Sequence, residues 1–266
     1  MRSALALIRA NFLTAASYRV AWIMSIAGLA FQIVPTYYIS KVLDPVLGAS
    51  IKGEGSDYFG FLVMGTVAYL LLSAAVDSLP RALERGINTG TLELIFSTPS
   101  SVPSLLVGLT GYELLWATAR CFVVIGAAAV FGFHAHWMRF GEAAVILAMI
   151  VATYFGAGMV AGAIMIAYRR TGQLQTLVIV GSAMVGGVLY PTKLIPAWAA
   201  RFTDFVPMTY GIRAVRRVTI DDWPLRAVLA DVGTLGLFCL AFLAIGSVAM
   251  TYALRRARAE GTLSQY

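Results

Sequence analysis

The chain has 266 residues, 59% of them hydrophobic and only 12% charged, with a mean hydropathy of +0.80. A soluble domain carries about 25% charged residues, so this apolar excess cannot be hidden in one soluble core and calls for lipid as solvent. The net charge of +7 does not mark a nucleic-acid binder, because Arg and Lys collect at the ends of apolar stretches, which is a membrane pattern.

Read from the N-terminus, Leu5, Ile8 and Phe12 recur on one helical face, with Arg2, Arg9 and Arg19 off it. That spacing predicts an amphipathic helix lying in an interface plane over residues 1–19. It does not read as a cleaved signal, since Arg9 interrupts the first apolar run and no small-residue cleavage site follows. Six stretches are then long enough to cross a bilayer: Val20–Ser40, Tyr58–Leu79, Leu105–Phe133, Ala143–Tyr168, Leu174–Tyr190 and Ala227–Leu254. The fifth is the shortest. None shows the period-2 alternation of a barrel strand. The predicted fold class is an all-α integral membrane protein with six spans forming one permease domain over 1–266.

Three spans carry polar residues at helical spacing. They are Ser25, Gln32 and Thr36 in the first, Thr66, Tyr69, Ser73 and Asp77 in the second, and Gln175, Ser182 and Gly186 in the fifth. Polar residues in a membrane avoid lipid. Each stripe is either interhelical hydrogen bonding, at about 0.6 kcal/mol per contact, or a wall of a substrate path. Leu71, opposite Ser73, is expected to face lipid. Glu113 and Arg120 share a face of the third span, about 10 Å apart along the axis, so each needs a partner on another helix or a water. Their roles are a structural ion network or proton coupling. Gly156, Gly158 and Gly162 give the fourth span a small face for close packing.

Between the second and third spans lies a polar stretch in which Leu92, Ile95 and Phe96 form a short apolar stripe, ended by Pro99 and Pro103. It is either a plain connector or a surface helix free to dock. His134 and His136 stand at a turn with no further ligands near them in sequence, so no metal site is expected. Cys121 and Cys239 both lie inside spans, which argues against a disulfide framework. In 191–226, Pro191, Pro196 and Pro207 punctuate two short helical pieces, and Arg213, Arg216 and Arg217 are expected to share a face. That face either snorkels to headgroups or meets phosphates of lipid or substrate. No Walker A loop is present, because Lys41, Lys52 and Lys193 are not followed by Ser or Thr.

Two of these segments carry a resemblance. Glu84, Arg85, Gly90, Thr91, Leu92, Glu93, Leu94, Ile95, Thr98, Pro99, Ser100 and Gly108 resemble the cytoplasmic coupling segment of the type-2 ATP-binding-cassette exporter permeases. Pro191, Pro196, Ala197, Trp198, Pro207, Thr209, Tyr210 and Arg213 resemble the run that precedes the last span in that family. The two matches stand in order among six spans and cover nearly the whole chain. The resemblance implies a coupling segment at 84–104 that docks a separate ATPase through Glu84, Arg85, Thr91, Leu92, Glu93, Leu94 and Ile95. It implies a substrate path bordered by the first, second and fifth spans, and re-entrant outer helices at 191–226 near the exit. It implies a second permease subunit, identical or homologous, and lipid as the surroundings. ATP and magnesium would sit on the partner ATPase, with no cofactor on this chain, which would be a permease and not an enzyme. The location implied is the inner membrane of a prokaryote with both termini cytoplasmic. A plain count of Lys and Arg does not decide orientation, but leaving out 191–226 agrees with termini inside.

The mainly apolar path suits an amphipathic drug, a lipid or a lipid-linked glycan. The rivals are a polysaccharide-export permease of the same family and a proton-coupled secondary transporter using Asp77 and Glu113. The latter would favour inverted repeats, and the halves show no convincing similarity. An intramembrane enzyme would need a His, Cys or Ser cluster, and none is present.

Overall fold

A computed structural model describes residues 7–13, 19–48, 51, 57–91, 102–134, 137–168 and 172–259. These residues are helices joined by turns, with no strand among them. After a short helical stretch at 7–13 come α1 (Arg19–Leu47), α2 (Tyr58–Asn88), α3 (Val102–Val130), α4 (Phe140–Tyr168) and α5 (Gly172–Val185). Two short helices follow, α6 (Ala197–Thr203) and α7 (Pro207–Thr219), and then the long α8 (Leu229–Ala259). Five helices are long and apolar enough to cross a membrane: α1, α2, α3, α4 and α8.

The fifth stretch differs from expectation. It was expected to run to Tyr190, but α5 ends at Val185 after 14 residues. At about 1.5 Å per residue this spans roughly 21 Å, short of the ~30 Å hydrocarbon core. The cause is local. Gly187 takes φ +72, a left-handed conformation that ends a helix cheaply only at glycine. Gly186 lets Met208 of α7 come so close that a Cβ would stand 2.8 Å from that side chain. Helix α2 differs in the other direction: it does not stop at Leu79 but runs unbroken through Pro80 to Asn88. Glu84 and Arg85 are therefore in its last turns.

Helix α2 is the centre of the molecule. It starts on the Asp57 cap, whose carboxylate accepts from the N–H of Phe59 and Gly60 at 3.3 and 2.9 Å. Its buried residues contact α1, α3, α4 and α7. Leu71 is one of them, so the expectation that it faces lipid is corrected: it packs in the core. The physical reason is that α4 covers that face. The glycines of α4 make this possible. A Cβ at Gly158 would stand 2.7 Å from the Ala75 carbonyl oxygen of α2. A Cβ at Gly156 would stand 2.5 Å from Phe242 of α8, and one at Gly246 would stand 2.4 Å from the Gly156 carbonyl. Such approach trades side chain for backbone contact. The sequence expectation of a small face on the fourth span is met.

The stretch at 7–13 lies on α3. Ile8 fills the space over Gly111, and Phe12 meets Tyr112 edge-on at 6.4 Å. Trp22 of α1 stacks on Trp116 of α3 at 4.4 Å.

Candidate functional site

Buried on its other faces, α2 keeps one strip open, carrying Thr66, Tyr69, Ser73, Asp77 and Arg81. Tyr69 is 38% exposed, whereas its neighbours Ala68 and Val67 are fully buried. Three hydroxyls on this strip and on α1 bond to their own helices. Thr36 donates to Gln32 O at 2.9 Å, Thr66 to Leu62 O at 2.9 Å and Ser73 to Leu70 O at 3.1 Å. They do not tie helices together, which removes the main support for reading these three as interhelical glue.

Tyr69, Ser73 and Asp77 line a cavity of about 340 Å³ with Glu113 and Arg120 of α3 and Thr176, Ile179 and Val180 of α5. The sequence nominated the first five of these for two different roles, and the structure brings them to one place. It does not bring the others. Ser25 and Gln32 lie exposed on α1, and Thr36 and Thr66 are half-buried away from the cavity lining. Gln175 and Ser182 are half-buried on α5, and the Ser182 carbonyl caps the helix by accepting from Gly186 N–H at 2.8 Å. Sequence reasoning missed Thr176 and Ile179 because the rotation of a short, all-round apolar helix is not written in its pattern.

The charges around the cavity are organised. Arg81 reaches Asp77 at 2.6 Å one turn along α2, and Arg85 crosses to Glu113 at 3.0 Å. Glu113 thus finds its partner on another helix, as the seven-residue offset from Arg120 required. The buried Nε of Arg120 has no hydrogen-bond partner among the described residues. Of the residues nominated for docking, Glu84, Arg85 and Thr91 are exposed at the end of α2 and just after it, while Leu92, Glu93, Leu94 and Ile95 lie outside the described residues.

At the other end, the Pro191-to-Arg217 motifs act as fold devices. Pro191 and Pro196 precede a 3-10 turn and α6. Trp198 lies in α6, and Pro207 opens α7, where its missing N–H costs nothing. Thr209 donates to Thr203 O at 2.8 Å and Tyr210 to Asp204 O at 3.1 Å, clipping α7 onto the end of α6.

The three arginines do not share one surface, and that expectation is corrected. Arg213 and Arg217, one turn apart, both hold Asp231 of α8, Arg213 through Nε at 3.1 Å and Arg217 at 3.2 Å. Arg216 is turned inward and is 1% exposed. Its guanidinium donates to Gly187 O at 2.9 Å, Val188 O at 2.8 Å and Phe61 O at 3.1 Å, and lies over the Phe61 ring. The reason is the broken end of α5. The carbonyls of Gly187 and Val188 lie just past the helix end at Val185, and a planar guanidinium supplies several donors in a fixed fork. Gly65 of α2 makes the room, since a Cβ there would stand 2.2 Å from Val188 O.

Among the described residues, no group of His, Cys, Asp and Glu could hold a metal ion. His134 is exposed, and His136 lies outside the described residues.

Residues 3–220 match the ABC-2 type transporter family. The chain belongs to that family. ABC-2 members are membrane transporter subunits that normally work with ATP-binding-cassette ATPases, which identifies this chain as an integral membrane transport protein. It is similar to Nodulation protein J of Rhizobium leguminosarum bv. viciae, at 25% identity over 88% of each chain. It is similar to Nodulation protein J of Rhizobium meliloti (strain 1021), at 23% identity over 87% of this chain and 86% of that protein. It is 24% identical to the protein of the same name in Sinorhizobium fredii (strain NBRC 101917 / NGR234), over 91% of both. This similarity spans nearly the whole ABC-2 chain and is not confined to one motif.

Proposed function

We propose that this chain is the transmembrane half of an ATP-driven exporter that moves an amphipathic substrate out of the cytoplasm. Two halves would flank one path, and ATPase subunits would dock through 84–104. The observation that carries this reading is the open strip Tyr69–Ser73–Asp77, with its polar cavity, on a helix otherwise buried all round. A helix at the centre of a protomer leaves a polar face uncovered in a membrane only where water, substrate or a second subunit meets it. In this arrangement α5 serves as a short sixth crossing, completed by residues 186–196, with α6 and α7 set into the outer leaflet. Both termini would be cytoplasmic in a prokaryotic inner membrane. The pairing of Asp77 and Glu113 with arginines weighs against their use as proton carriers.

The test is reconstitution with the partner ATPase in vesicles. Ser73→Trp should abolish ATP-dependent transport at matched expression, and Leu240→Trp, on the exposed outer face of α8, should not. Transport by this chain alone, driven by a pH gradient, would overturn the proposal.

A further inference from the structure

The cavity against α2 holds more charge than the transport reading uses. Its two carboxylates are already committed, Asp77 to Arg81 at 2.6 Å and Glu113 to Arg85 at 3.0 Å. Arg120 lines the same cavity and makes no ion pair among the described residues. Arg81, Arg85 and Arg120 thus stand against Asp77 and Glu113, and the uncompensated charge is positive. Arg120 also stands deep. The thiol of Cys121, the next residue, donates to Val67 O of α2 at 3.7 Å, so this part of α3 is level with Val67. Asp77 is ten residues farther along α2, roughly 15 Å down the axis. A cation set that far inside a span without a counter-charge is costly, and the cost is offset when an anion enters.

The rest of the lining decides what such an anion is attached to. Ala74 of α2 with Ile179 and Val180 of α5 form an apolar side, and Tyr69 and Ser73 bring hydroxyls. The Ser73 hydroxyl spends its proton on Leu70 O, so the donor suited to an oxyanion is the guanidinium fork. We propose that Arg120 is the specificity residue of this cavity, and that it takes an oxyanion (a carboxylate, sulfate or phosphate) joined to an apolar chain. This specificity rests on the cavity being part of the substrate path, and it narrows the amphipathic substrate to an anionic one.

The test uses two photoprobes that differ only in charge: a dodecane sulfonate carrying a diazirine, and the same chain as its uncharged N-methyl sulfonamide. The full-length chain would be placed in phosphatidylcholine nanodiscs. Saturable labelling of the α2, α3 and α5 segments around the cavity would be read by peptide mass spectrometry. The sulfonate should half-saturate at about a tenfold lower concentration than the sulfonamide, the scale of one charge-assisted contact. Arg120→Gln should remove that tenfold preference and leave the sulfonamide unchanged, whose binding also reports an intact cavity. Ser73→Trp should weaken both probes. Equal half-saturation of the two probes in the natural chain would overturn the proposal without any variant. Equal losses of both probes in Arg120→Gln would overturn it by making Arg120 a structural residue. Loss of sulfonate labelling when phosphatidylglycerol replaces phosphatidylcholine would overturn it by making resident anionic lipid the occupant. Neither probe labelling these segments saturably, or both labelling Ser73→Trp undiminished, would overturn the path reading itself and this specificity with it.

Discussion

Arg216 shows how much of a membrane fold can rest on one side chain. It sits buried with its donors on the Gly187, Val188 and Phe61 carbonyls, and so joins the end of α5, the α7 helix and the start of α2. Removing it would strand buried acceptors, each costing about 1–3 kcal/mol. Arg216→Lys keeps the charge but loses the fork. We expect Arg216→Lys to lower the thermal unfolding midpoint in detergent clearly, and Arg216→Met to lower it further. A midpoint unchanged in both would show that the carbonyls find other donors. The sequence marked Arg213, Arg216 and Arg217 as one set because their spacing is helical. Spacing alone does not say that α7 would be packed on both sides, which sends Arg216 inward and the other two to Asp231.

At the scale of elements, the close crossings of α4 with α2 and α8 depend on missing side chains. A Cβ at Gly246 would stand 2.4 Å from the Gly156 carbonyl, a backbone atom that cannot swing away. Gly246→Leu should therefore force the helices apart, cost about 1–3 kcal/mol or more by overpacking, and reduce folded yield. Leu240→Leu-sized changes on the exposed face of the same helix, such as Leu240→Ile, should not. Recovery of fully folded Gly246→Leu protein with unchanged stability would contradict the crossing. The glycine face was legible in the sequence through its spacing. The extension of α2 past Pro80 was not, because proline in isolation reads as a helix end, whereas here Leu79 and Leu83 on either side of it are buried in one cluster with Leu105, Met159 and Leu254 of α3, α4 and α8. The early end of α5 was equally hidden, since its apolar run continues to Tyr190 while the backbone turns at Gly187.

The whole molecule is half of a proposed assembly, and its orientation decides which half of the chain meets the ATPase. Single cysteines at Met138 and at Glu84, both fully or largely exposed, would be introduced in a chain with Cys121 and Cys239 replaced by alanine. Met138→Cys should label from outside intact cells with an impermeant maleimide, and Glu84→Cys only after the membrane is opened. The reverse pattern would place residues 84–104 outside and remove their docking role.

The sequence by itself determined that this is a helical membrane protein, where most of its spans lie, and which family it resembles. Those features follow from local quantities: apolar length, glycine and proline positions, and short motifs. Only the tertiary structure decided which polar residues gather. Tyr69, Ser73 and Asp77 meet Glu113, Arg120 and Thr176 because α2 is wrapped by its neighbours on every face but one. Leu71 is core for the same reason. In a membrane, an apolar residue is equally at ease against lipid or against another helix. Hydrophobicity therefore cannot tell the sides of a span apart, and only packing does.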